Sequence, residues 1–114
     1  MSDCIFCKII KGEIPSDKVY EDEHVLAFRD IYPKAPVHVI LIPKKHIASV
    51  MALEKEDAEL IARIFESVKV IAKKLDIEDA GFRLVSNVGE DGGQTVLHLH
   101  FHILAGMRFN EGFG

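Results

Sequence analysis

The stretch Gly92-Gly93-Gln94-Thr95-Val96-Leu97-His98-Leu99-His100-Phe101-His102-Ile103-Leu104 constrains the fold more than any other part of this chain. Taken with a period of two, Leu97, Leu99, Phe101 and Ile103 form one apolar face, and His98, His100 and His102 fall together on the other. A helical period would scatter the histidines and turn His100 away from its neighbours. The alternation therefore predicts a half-buried strand through these residues. At a rise of roughly 3.3 Å per residue, the three imidazoles would stand about 7 Å apart along one face. A single histidine beside apolar residues is ordinarily a hydrogen-bonded core residue, but three in strict alternation point to chemistry. Either alternate imidazoles converge on a zinc ion, or a neutral imidazole attacks as a nucleophile while its neighbours stabilise developing charge, as phosphoryl transfer requires.

The rest of the chain supplies a frame for that strand. Ile5, Phe6, Ile9 and Ile10 recur at helical spacing and Gly12 is placed to end a short helix. Residues 18–20 read as a short edge strand, and 25–28 and 37–42 as two further strands. Pro33 and Pro36 break regular structure between the latter two. In the second of these, His38 shares a face with Ile40 and Ile42. From 54 to about 75, Ala58, Ile61, Ile64, Phe65, Val68, Ile71, Ala72 and Leu75 recur at three and four, the signature of an amphipathic helix. Residues 82–86 form another strand, and the turn-rich 87–93 leads to the histidine strand as a hairpin. Strands in hairpin order with one long helix between pairs predict an α+β fold, an antiparallel sheet with helices packed on it. At 114 residues and 48% hydrophobic content the chain, 1–114, is expected to be a single domain.

Fourteen basic against eighteen acidic residues give a net charge of −4, and the basic residues gather no further than short pairs such as Lys44-Lys45. That balance argues against a nucleic-acid or anionic-membrane surface. No leader-like or membrane-spanning run occurs, so a cytoplasmic protein is expected. Cys4 and Cys7 could be a redox pair, but no strand precedes them, and half of a metal site is the better reading.

The run His98-Leu99-His100-Phe101-His102-Ile103-Leu104 resembles the signature of the histidine triad superfamily of nucleotide hydrolases and transferases. Cys4-Ile5-Phe6-Cys7, Phe28-Arg29-Asp30-Ile31, Ala35-Pro36-Val37-His38, Ile42-Pro43-Lys44-Lys45-His46 and residues 87–94 extend the resemblance, to the Hint branch, over essentially the whole chain. It implies a sheet of about five strands with one long and one short helix, and two copies joined edge to edge as a homodimer. It implies a purine nucleoside phosphoramidate hydrolase, with His100 attacking the α-phosphorus to give a nucleotidyl-histidine that water then cleaves. His102 and His38 would support the phosphate oxygens and His98 would orient the site. Asn87, Gly93 and Thr95 match positions at the phosphate and leaving group, with Thr95 standing where serine is more usual. Asp30 matches a ribose-binding carboxylate, and Ile5, Phe6, Ile9, Phe28 and Ile40 match an apolar pocket for the purine. In similar proteins with this Cys-x-x-Cys, zinc is bound, so Cys4, Cys7, His46 and His98 would form a closed structural site, with no metal required for the chemistry. The chain has no tryptophan, whereas relatives place one near the C-terminus; Phe109 and Phe113 stand in that region. Rival readings are a dinucleoside polyphosphate hydrolase of a sister branch and a zinc-stabilised nucleotide-binding module. Around the triad stand Gln94, Thr95 and glycines, with no Lys or Arg nearby in sequence until Arg108, which favours an amine over a polyphosphate leaving group.

Overall fold

A computed structural model describes residues 4–113. The elements run α1 (Ile5–Ile10), β1 (Lys18–Glu21), β2 (Val25–Arg29), β3 (Val37–Pro43), two single 3₁₀ turns, α2 (Ala58–Lys74), β4 (Arg83–Val85) and β5 (Phe101–Ala105). All strand pairs are antiparallel, in the order β1-β2-β3-β5-β4, which is the expected α+β sheet of five strands with one long and one short helix.

The period of two sorts the central strands into two faces. Val25, Ala27, Val39, Leu41, Phe101, Ile103 and Ala105 point to one side, where Ile64, Val68, Ile71 and Ala72 of α2 close the main core. Leu26, Phe28, Ile40 and Ile42 point to the other and pack beneath Phe6 and Ile9 of α1 in a smaller cluster. His38 and His102 share this second face, at the end of the sheet away from α1. Helix α2 starts later than its periodicity suggests, because Glu54 and Asp57 form a reciprocal capping box around a 3₁₀ turn. It ends in a Schellman motif: Asp76 N–H reaches Lys73 O and Ile77 N–H reaches Ala72 O. Asp76 takes the left-handed position there, with φ 58°.

The histidine strand is shorter than the alternation predicts. Only residues 101–105 pair; His98, at a bend over 96–98, and His100 lie on the approach to β5. The cause is on β3. Pro43 has no N–H to continue the ladder, and its carbonyl accepts the ring Nε2–H of His98 at 2.9 Å. Leu99 N–H turns instead to Ile47 O. Leu97, expected on the apolar face, is 67% exposed, while His98, Leu99 and His100 are buried in succession. The predicted hairpin is likewise a β4–β5 pair joined by a long connection, and β4 covers three residues of the five expected.

Candidate active site and metal centre

The three histidines divide between two centres. His98 turns to a cluster with Cys4, Cys7 and His46. Cys4 caps α1 and accepts Cys7 N–H on its sulfur, so one turn of helix sets both thiols on the same side. His46 comes from the loop after β3, which Lys45 ties to the buried Asp57 at 2.6 Å. The Nδ1 atoms of His46 and His98 are 3.1 Å apart, and nitrogen–sulfur separations are 3.3 Å for Cys7–His46, 3.4 Å for Cys4–His98 and 3.6 Å for Cys7–His98. Tetrahedral zinc with bonds of about 2.05 Å to nitrogen and 2.3 Å to sulfur demands edges of about 3.3 Å and 3.5 Å. A carbonyl oxygen only accepts, so the His98–Pro43 bond fixes the proton on Nε2 and leaves Nδ1 its lone pair for a metal. Burial holds the His98 ring below the usual histidine pKa, in the neutral form a metal needs. The four residues fit a structural zinc ion.

His100 and His102 form the second centre with His38. His100 Nδ1–H donates to the carbonyl of His98 at 2.7 Å, which leaves the Nε2 lone pair unshared by that bond. The His100 carbonyl in turn accepts the Ser86 hydroxyl at 2.7 Å. His38 Nδ1 accepts the Lys34 backbone N–H at 3.0 Å, so its proton resides on Nε2, which lies 2.9 Å from His102 Nδ1. His102 Nδ1 therefore accepts, and its own proton sits on Nε2. The result is a lone pair on His100 Nε2 beside an N–H on His102, with the ring centroids 5.1 Å apart. Burial is the main cause that lowers His38 and takes His102 down to about 4, so these rings are neutral at pH 7. By distance alone Asp30, His38 and His102 could also hold a metal. The hydrogen-bond order rules against it, because His38 Nε2 carries a proton where a ligand needs a lone pair.

The other expected residues surround this centre unevenly. Phe6 lies edge-on to His100 at 5.1 Å and to Phe28 at 5.7 Å, with Ile9 and Ile40 in the same cluster. Ile5 is not gathered with them and is 44% exposed. Asp30 faces His38 at 3.4 Å and closes a turn by accepting Tyr32 N–H. Asn87 donates to Gly92 O across its loop, beside Gly93 at φ 82°. Thr95 is exposed on the same connection. Sequence reasoning did not foresee Ser86, or the bridge by which Gln94 ties Gly89 N–H to Ala48 O. Only the folded loops bring those partners together. A cleft of about 680 Å³ opens beside His102 and includes Lys34, Arg83 and Arg108, which corrects the expectation that Arg108 is the first cation near the triad.

Comparison with known proteins gives concordant results. The family model described as "Scavenger mRNA decapping enzyme C-term binding" matches residues 3–112. A 14 kDa zinc-binding protein of Zea mays is 47% identical over 111 residues, 96% of this chain and 86% of that protein. A HIT family hydrolase from Clostridium thermocellum superposes with a TM-score of 0.95 at 46% identity, covering 98% of this chain and 97% of that one. A histidine triad nucleotide-binding protein from Candida albicans gives 0.82 at 34% identity, over 98% and 87%. With motif, sheet and paired imidazoles in agreement, the chain belongs to the histidine triad (HIT) family.

Proposed function

We propose that the protein hydrolyses purine nucleoside phosphoramidates through a nucleotidyl-histidine at His100. The observation that carries this reading is the proton order of the site, with a buried Nε2 lone pair on His100 beside an N–H donor on His102. A neutral imidazole whose other nitrogen is held by a carbonyl is an oriented nucleophile. In the first step His100 Nε2 forms a bond to the α-phosphorus and the P–N bond to the amine breaks. Thr95 gives its hydroxyl proton to the departing nitrogen. Water then attacks the phosphorus, the bond to His100 breaks, and the water's proton restores Thr95. His102 and His38 support the phosphate oxygens, and Asn87 and Gly93 line its approach. Asp30 holds the ribose hydroxyls, and Phe6, Ile9, Phe28 and Ile40, with Ile5 at the exposed rim, meet the purine. Zinc on Cys4, Cys7, His46 and His98 completes a four-ligand shell, and so its part is to fix the His98 backbone from which His100 hangs. The protein acts as a cytoplasmic homodimer.

The cations beside His102 favour a second reading, hydrolysis of dinucleoside polyphosphates, whose leaving groups are anions. Incubation with an adenosine phosphoramidate followed by rapid quench and mass spectrometry should show a nucleotidyl adduct on His100. The kcat/KM for that substrate should exceed the value for a dinucleoside polyphosphate by about a hundredfold or more, about 2.7 kcal/mol in the transition state. Equal values would move the assignment to the second reading. No cleavage of either would make the protein a binding module.

A further inference from the structure

Ser86 makes a bond that neither the sheet nor the metal centre accounts for. Carried two residues past the last β4–β5 pair, Val85 with His102, the register would set Asn87 opposite His100. β4 ends at Val85, however, and Asn87 turns its side-chain amide to Gly92 O. On the other side the β3–β5 ladder closes with Leu41 and Phe101, so β3 does not pair with His100 either. Among the described residues no backbone N–H reaches the His100 carbonyl. The Ser86 hydroxyl donates to it at 2.7 Å, where a ladder bond would otherwise stand.

The place of that carbonyl bears on the reaction. The plane of the peptide after His100 constrains the direction in which its side chain leaves the backbone. The buried ring is fixed at two further points, by its Nδ1–H on His98 O at 2.7 Å and by the edge-on Phe6, 5.1 Å away between centroids. Those two contacts set the rotation of the ring, and the Ser86 bond sets where the backbone that carries it stands. Ser86 also immediately precedes Asn87, where the loop proposed to meet the phosphate begins. One hydroxyl therefore fixes the His100 backbone relative to the root of that loop. In-line attack needs nitrogen and phosphorus aligned, and a misplacement of about 1 Å can cost about a hundredfold in rate.

We infer that Ser86 is a positioning residue for the proposed reaction: acting through His100 rather than on substrate, its hydroxyl keeps the imidazole aimed at a phosphate held by the 87–93 loop. The inference rests on the reading that His100 attacks the phosphorus.

The test compares Ser86→Thr with Ser86→Val, side chains of one shape with and without the hydroxyl. Position 86 is half-buried, and any effect of the added bulk is common to both. With an adenosine phosphoramidate, Ser86→Val should lose about tenfold to a hundredfold in kcat while its affinity for AMP in calorimetry stays within about twofold of wild type. Ser86→Thr should keep both quantities within about threefold. A second readout needs no turnover. Followed by NMR, the His100 Nδ1–H should exchange with solvent at least about fivefold faster in Ser86→Val than in wild type, the scale of one neutral hydrogen bond, and Ser86→Thr should restore it. The same kcat in the two variants, lowered or not, would overturn the inference, because the hydroxyl would then have no part of its own. A loss of AMP affinity matching the loss of kcat would also overturn it, since Ser86 would then serve binding. Unchanged ring exchange in Ser86→Val would overturn it in any case. If wild type cleaves no phosphoramidate the hydrolase reading falls, and faster exchange confined to Ser86→Val would still support the hold of Ser86 on His100.

Discussion

His98 serves both centres: its ring faces the thiols while its carbonyl holds the His100 ring. The alternation of three histidines was legible in the sequence, but their division was not, since it depends on Pro43 and Ser86 arriving from other elements. Replacing His100 by alanine removes the imidazole proposed to attack and leaves the pocket. The variant is expected to bind a purine monophosphate in calorimetry while kcat falls by several orders of magnitude. Retention of more than about a tenth of kcat, a barrier change under about 1.4 kcal/mol, would exclude His100 as nucleophile. His102 makes a separate prediction about pH. Burial, the largest cause, lowers it from 6.5 to about 4, so in that window the folded protein binds fewer protons than the unfolded chain. Stability from this group is thus complete above 6.5 and is lost as pH falls toward 4, and His38, also lowered by burial, adds to the same slope. Urea midpoints should be lower at about pH 5 than at about pH 7, and the gap should shrink in His102→Gln. An unchanged gap would mean the ring is not held neutral.

At the scale of elements, α1 has only six residues, too few to persist by its own hydrogen bonds. What holds it is Phe6 and Ile9 against the sheet and, at its N-terminal turn, the metal cluster. Elemental analysis of metal-replete protein should find about one zinc per chain, and Cys4→Ser/Cys7→Ser should lose it. Amide protection along α1 should then fall before that of α2, whereas undiminished zinc in the double variant would remove the cysteines from the site. The elements most legible in sequence were those whose periodicity their own packing satisfies, such as α2. The histidine strand was over-extended because its pattern continues past the point where β3 runs out of donors at Pro43. The end of α2 hides another feature that periodicity does not carry. Asp76 occupies a left-handed position that suits glycine, and Asp76→Gly should stabilise the protein by about 0.5–1 kcal/mol in urea unfolding. A loss of stability would show that the aspartate side chain contributes more than its backbone strain costs.

The whole sheet poses the question of its two outer strands. A long unpaired edge invites another chain unless something blunts it. On β1 the register slips between Lys18 and Tyr20, Lys18 and Glu21 pair across the strand's surface at 3.0 Å, and the Lys74 ammonium occupies the Val19 carbonyl. β4 shows none of these devices among the described residues, and Arg83, Leu84 and Val85 are each only half-buried. The antiparallel sheet was legible from hairpin spacing, but that β5 rather than β4 joins β3 was not, nor was which edge remains open, because Lys74 reaches Val19 from α2 across 55 residues of sequence. The proposed homodimer is therefore expected to form by antiparallel pairing of β4 with its counterpart, making one sheet across both copies around a two-fold axis. Light scattering should give twice the chain mass at micromolar concentration. Hydrogen exchange of the amides at 83–85 should slow as concentration rises, while that at 18–21 stays constant. A monomer would overturn the dimer, and protection appearing at β1 instead would place the interface on the strand that these contacts already close.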